Sequence, residues 1–325
     1  SRGLGDVYKR QKDEKFYGKA KDRKTVDFLA KKKIFFTISL VMIIGGFVCM
    51  GVNKGTSGTA LNYSLDFVGG TSTNVTFNED MDLAALDSQV VPVIEKITKD
   101  ANVQVQKVAG GNQVIFKTRT LDVEERQALT EALVENFGVN SDLITAETIS
   151  STISSEMRSD AIVAVVIAAI CMLLYIWFRF KDIRFATSSV AALIHDVLVV
   201  LAFYAVARVS VGSTFIACML TIVGYSINAT IVIFDRIREN LGAMTKKDDL
   251  EQLVNRSISQ TLSRSIFTSL TTFFMVAALF VLGVSSIREF ALPLMVGIVC
   301  GTYSSVCITG ALWYVPVSYT HLRAH

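Results

Sequence analysis

Two side chains able to move a proton stand next to each other, His195-Asp196, inside Ala186–Ala207, a run otherwise free of charge. A carboxylate beside an imidazole can exchange protons near neutral pH. The same aspartate could instead pair with a base or cap a loop. Neighbouring residues point in different directions on a helix, so the two need not act together. An HD-type metal hydrolase would need further His and Asp ligands. The chain has three histidines, and two of them, His321 and His325, stand at its extreme end. The expectation is therefore no metal, no cofactor and no catalytic residue.

Two polar stripes interrupt other apolar runs. Thr221, Tyr225 and Asn228 recur at i, i+4 and i+7 beside Gly224, which places them on one helical face. Thr261, Arg264 or Ser265, Thr268, and Thr271 or Thr272 make a second stripe. Facing each other, the stripes could line a hydrated path, and Thr230 adds a hydroxyl beside it. Alternatively, such small hydroxyl residues simply join helices by close approach and hydrogen bonding. Arg264 stands where a helix would enter the bilayer, and either snorkels to the interface or points inward to a carboxylate.

These residues need a frame, and the charge pattern supplies one. Hydrophobic residues make up 51% of the 325 positions and the mean hydropathy is +0.45, which favours a membrane class. Ile34–Val52, Ala161–Phe178, Thr214–Phe234, Ile266–Ile287 and Phe290–Val317 carry no Asp, Glu, Lys, Arg or His. With Ala186–Ala207 they predict six spans, each close to the roughly 18–20 residues a crossing needs. The first run lacks a convincing cleavage site, so no cleavable signal peptide is expected.

Basic residues cluster at Lys31–Lys33, at Arg179, Lys181 and Arg184, and between Arg236 and Arg264. The positive-inside rule then puts both termini in the cytoplasm and residues 53–159 outside. That outer segment holds 15 acidic and 8 basic residues. All five cysteines fall within the spans and read as small buried side chains, so nothing suggests a disulfide framework. The basic residues follow topology, so no nucleic-acid partner is expected. Ser1–Gln11 and Ser318–His325 resemble translated adapter sequence, and the natural protein is expected to continue past both.

The outer segment reads as an α+β domain. Ala60–Phe77 is expected to be strand with a tight turn at Gly69-Gly70, and Leu83–Lys99 an amphipathic helix. Val103–Val108 and Gln113–Thr118 alternate around Gly110-Gly111-Asn112, a hairpin signal. Val123–Phe137 is a second helix with Asp122 as N-cap, and Ile144–Ile149 a last strand. The order βαββαβ suggests a ferredoxin-like sandwich. Ser150–Ser159 leads into the second span, and the amphipathic stretch Asp248–Arg264 is expected to lie on the membrane surface.

Several runs resemble the SecF family of protein-export membrane subunits and its fused SecDF relatives. Leu65-Asp66-Phe67-Val68-Gly69-Gly70-Thr71 is similar to the family's DFxGGT signature, with Asp66, Gly69, Gly70 and Thr71 as its marked residues. Val223–Asn228 followed by Asp235-Arg236-Ile237-Arg238-Glu239-Asn240 resembles its GYSxN…DRIREN block, and Gln260–Ser265 with Thr268–Thr272 its QTLSR…TSLTT block. His195-Asp196 matches its HD. The resemblance runs in order from about Thr37 to Pro316. It implies an RND-type half of six helices, without enzymatic activity, in a bacterial cytoplasmic membrane. Its implied partners are a SecD-like half, the Sec translocon (SecY, SecE, SecG), a translocating polypeptide and membrane lipid. It also implies coupling of proton or sodium entry to export. The family's coupling acid directly follows the Asn of GYSxN; here that position is Ala229. The acid could come from the partner half, another cation could be held by Asn228, Tyr225 and Thr230, or this half could be a scaffold. An RND-type exporter of lipids or small solutes is the alternative, but it predicts an outer domain of several hundred residues.

Overall fold

Long apolar runs without water must satisfy every backbone group internally, and a helix does so within one segment. The computed structural model describes residues 25–100, 103–108, 111–180, 182–244, 248–283 and 285–323. The run before Thr25, expected in the cytoplasm, and Lys181, Lys246, Lys247 and Gly110 lie outside the described residues. Among the described residues, six helices are long and apolar enough to cross a membrane. They are α1 (Lys32–Ser57), α6 (Ser151–Phe180), α7 (Ile183–Ala207), α8 (Ser213–Gly242), α9 (Leu250–Leu282), and a last one built in pieces. The last comprises α10 (Ser285–Tyr303), a π-helical segment Ser304–Thr309, and α11 (Gly310–Arg323).

The helix ends depart from the uncharged runs, because charge marks the edge of a membrane and not the end of a helix. The Ser-rich stretch after Ser150 is the first turns of α6. The block Asp235–Asn240 continues α8 by further turns. The stretch Asp248–Arg264 does not lie flat: Asp249 caps a single helix that runs on to Leu282, with Val254, Asn255, Ile258 and Ser259 buried against the bundle. Its apolar face, with the small polar side chains beside it, is thus spent on protein contacts, which removes the reason to seek an interface. The α9 helix stops at Leu282, five residues before the expected Ile287, and Ile287 belongs to α10.

The centre of the bundle is α7, α8 and α10–α11, while α1 and α6 present mostly exposed apolar side chains. Phe185, Phe234 and Trp313 anchor one core cluster; Phe185 stacks on Trp313 with centroids 4.9 Å apart. Tyr204, Met219, Ile222 and Leu294 anchor another. Helix α1 reaches α7 because Gly46 has no side chain: a Cβ there would sit 2.1 Å from that of Ala202. Small residues at such contacts let helix backbones approach where hydrophobic exclusion offers no drive. In front of α1, Asn255 Oδ1 accepts the N–H groups of Phe28 (3.0 Å) and Leu29 (3.1 Å), holding the entering chain against α9.

Between α1 and α6 sits the α+β lobe. Its sheet has the order β3-β4-β2-β5, all antiparallel, from β2 (Gly70–Thr76), β3 (Gln104–Lys107), β4 (Gln113–Thr118) and β5 (Ile144–Ile149). This is the ferredoxin-like arrangement expected of βαββαβ. One covering helix is broken into α3 (Leu83–Ala85), a π turn Leu86–Val90 and α4 (Val91–Thr98). Pro92 lacks the N–H that would bond back four residues, and the ladder is displaced just before it. The other helix, α5 (Val123–Phe137), opens with a capping box between Asp122 and Glu125. Val75, Phe116, Leu86, Ile94, Leu129 and Leu133 close the core with no side chain more than 1% exposed.

The expected strand Ala60–Phe77 is not one strand. It is β1 (Asn62–Tyr63), a helical turn α2 (Leu65–Val68), and then β2. The β1 strand pairs parallel with β6 (Ser210–Val211), in the loop between α7 and α8, and so ties the lobe to the bundle.

Candidate functional site

Asp196 on α7 is a fully enclosed carboxyl, 0% exposed. Its Oδ1 lies 2.9 Å from His195 Nδ1 and accepts from Cys300 Sγ at 3.4 Å. Its Oδ2 accepts from Ser304 Oγ at 2.8 Å and from Ser226 Oγ. The adjacent pair does touch, a point that helix geometry alone left open. Among the described residues Asp196 is neither paired with a Lys or Arg nor used as a loop cap; besides His195, its partners come from α8, α10 and the π segment. A helix that widens to i+5 bonding re-aims the residues it carries, and such bulges concentrate at functional sites. Next to it, Thr230 Oγ1 lies 3.3 Å from Ser305 Oγ. Thr230 thus faces this buried seam and not the stripe it was grouped with. His195 Nε2 is buried without a hydrogen-bond partner among the described residues.

A second polar region lies on the outer faces of α8 and α9. Tyr225, Asn228, Ala229 and Val232 meet Arg264, Ser265, Thr268 and Ser269 around a cavity of about 70 Å³. Tyr225 Oη and Ser265 Oγ are buried there without partners, and Arg264 has no ion-pair partner among the described residues. Asn228, Arg264, Thr268 and Thr271 are exposed, as are Thr221 and Gly224 along the same face. Part of the stripe looks after itself: Thr221 donates to Ala217 O (2.7 Å), and Thr271 and Thr272 to Thr268 O (2.9 and 3.0 Å). Arg264, Asn228, Tyr225 and Ser265 do not.

The signature after α1 is a joint. Gly69 and Gly70 have φ of +77° and +121°, backbone that favours glycine. A Cβ on Gly70 would sit 2.3 Å from Thr118 O. Thr71 Oγ1 lies 2.9 Å from Thr148 Oγ1 and accepts from Leu121 N at 2.9 Å. Asp66 Oδ2 accepts from Ser213 N at 3.1 Å, at the start of α8. Lys117, close by on β4, donates to Asn62 Oδ1 and Tyr63 O, both at 3.4 Å. Burial there pushes the Lys117 ammonium below its ordinary range, partly offset by the Glu289 carboxylate.

At the opposite end of α8, Asp235 pairs with Arg179 of α6, and Arg238 Nη1 comes within 4.0 Å of it. Arg236 Nε donates to Gln260 Oε1 at 2.7 Å and its Nη1 to Glu239 at 2.5 Å. This block pins α6, α8 and α9 together, while Arg238 and Glu239 remain exposed.

The family model described as "Protein export membrane protein SecD/SecF, C-terminal" matches residues 129–317. The chain belongs to the SecD/SecF family. Among its relatives are the protein translocase subunits SecF of Sebaldella termitidis, 36% identical over 87% of this chain and 89% of theirs, and of Calditerrivibrio nitroreducens, 35% over 91% and 95%. The crystal structure of SecDF, a translocon-associated membrane protein from Thermus thermophilus, superposes with a TM-score of 0.76 at 32% identity. That match covers 92% of this chain and 39% of that one. This SecF-family chain is thus a multi-pass membrane protein whose named relatives are translocase subunits.

In this member of the SecD/SecF family the residues singled out by sequence separate into two places. Tyr225, Asn228 and Arg264 share the open cavity with Ala229; His195, Asp196 and Thr230 belong to the buried seam. Ser226, Cys300, Ser304 and Ser305 were missed. Ser226 stood within the quoted Tyr225-Ser226-Ile227-Asn228 run, but serines and cysteines scattered through an apolar run carry no periodic signal of their own.

Proposed function

We propose that the chain is a SecF-like accessory subunit of the Sec translocase, assisting protein export with energy from an ion gradient. It works in the cytoplasmic membrane of a bacterium, with both termini inside and the α+β lobe outside. A SecD-like half completes the bundle, and the Sec translocon (SecY, SecE, SecG) and a translocating polypeptide are its further partners. The observation that carries this reading is the open polar face of α8 and α9. An arginine facing hydrocarbon costs about 2.5–3.5 kcal/mol on insertion scales. Arg264 and Asn228, exposed beside the orphaned hydroxyls of Tyr225 and Ser265, therefore call for a second polar surface. A half-bundle carrying a carboxylate fits: it would pair with Arg264 and supply the acid that Ala229 does not. Lys31, Lys32 and Lys33 at the start of α1, Arg179 in the last turn of α6 and Arg184 at the start of α7 support the sidedness.

The test is export into inverted vesicles from cells making this chain with its SecD-like half. Arg264→Leu should abolish the part of export that disappears when the proton gradient is collapsed, and weaken co-purification of the two halves. Arg264→Lys should retain part of both. Full gradient-dependent export and intact co-purification with Arg264→Leu would refute the assignment. Protease added to spheroplasts should cut the lobe and spare the loop near Lys246.

A further inference from the structure

We propose that Asp196 is a proton-binding site within this chain, separate from the α8–α9 face, taking its proton on Oδ2. The inference borrows the ion-gradient reading only for its biological use; the site itself stands on geometry.

Both protonation states of Asp196 can be satisfied without moving the backbone. When the carboxyl is charged, Ser226 and Ser304 donate to Oδ2, and His195 Nδ1–H and Cys300 donate to Oδ1. When Oδ2 carries a proton, that O–H donates to Ser304 Oγ. The Ser304 hydrogen then turns to its second acceptor, Gly301 O, 3.2 Å away. A serine hydroxyl is both donor and acceptor and rotates to suit, so one small rotation exchanges the two arrangements. Buried polar groups that find partners in every state they visit avoid the penalty of an unpaired group.

The surroundings offer the carboxyl little counter-charge. Among the described residues no Lys, Arg, Glu or second Asp bonds to either His195 or Asp196 from the helices packed on them. The titratable groups facing the pair are Cys300, in contact, and Tyr303, whose ring is 6.4 Å from the imidazole and whose hydroxyl is bonded to Phe35 O. A carboxylate sealed in a bundle without a counter-charge is costly. Placing the proton on His195 Nε2 would leave a charged donor buried without a partner, whereas Nε2 as a bare acceptor costs less. His195 is then a positioning residue: neutral, it holds Oδ1 through Nδ1–H. A sodium ion fits poorly: Ser226 and Ser304 offer oxygen beside the carboxyl, but the imidazole and thiol that complete the surroundings are not the ligands a hard cation prefers.

The experiment uses the full chain alone in lipid nanodiscs, so it does not depend on export or on a partner. Difference infrared spectra between acidic and alkaline buffer should show a protonated-carboxyl band. Asp196→Asn should remove it, and Ser304→Ala should displace its frequency while leaving a band present. Should Asp196→Asn not fold, Asp196→Glu with a shifted band serves in its place. With ¹⁵N-histidine labelling, His195→Gln assigns the His195 signal, which should stay that of a neutral ring throughout. A band unaltered by substitution at Asp196, a ring signal that titrates in place of the carboxyl, or displacement of the band by sodium or zinc at fixed pH would each overturn the proposal. Loss of export function with this band intact would count against the Sec reading and leave the proton site standing.

Discussion

Replacing Gly70 by alanine tests whether the joint between lobe and bundle depends on a backbone only glycine can supply. Two effects add at this position. The φ of +121° is one that a residue with a Cβ rarely adopts, at a cost of about 1–3 kcal/mol. The new Cβ would also stand 2.3 Å from Thr118 O, well inside the 3.0 Å that Cβ atoms keep. That oxygen is backbone and belongs to the residue paired with Thr71 across β2 and β4, so it cannot swing aside. Together these predict a loss of about 3–4 kcal/mol, a large part of the ~5–15 kcal/mol that holds a domain folded. Gly138→Ala is the matched control. It has φ +62° in the same lobe, but the nearest atom is Asn78 Nδ2 at 3.9 Å, so about 1 kcal/mol is expected. Hydrogen exchange of the full chain in nanodiscs reads both: amides of β2 and β4 should exchange about 100- to 1,000-fold faster in Gly70→Ala. If the two variants behave alike, the clash is not felt and the joint is not built as described.

Two further outcomes follow from local contacts. Asn255→Ala removes the acceptor of the Phe28 and Leu29 amides and should cost about 1–3 kcal/mol locally, seen as roughly 10- to 100-fold faster exchange at those amides. In the lobe, the hydrogen bond from Arg119 holds the Glu125 carboxyl below its ordinary range, with the Asp122 N–H helping. A folded-state value depressed in this way gives stability that is present above the unfolded value of about 4.3 and lost as pH falls through the folded one. Thermal unfolding of the lobe in Glu125→Gln should therefore lose part of the wild-type decline below about pH 4.3, and an unchanged acid profile would contradict the role given to Arg119.

The sequence by itself determined what local rules can carry. Uncharged runs of spanning length marked six helices, because hydrocarbon excludes charge. Alternation and caps marked the βαββαβ lobe, because a strand buries every second side chain and a helix needs its first N–H groups met. The tertiary structure decided where helices stop and which polar residues meet. Asp248–Arg264 has the same amphipathic pattern whether its apolar face meets lipid or protein; only the bundle made it the start of α9. Asp196 and Ser304 are 108 residues apart. Their meeting depends on α7, α8 and a π-widened turn after α10 converging at one depth, and no periodicity in any single segment encodes that convergence.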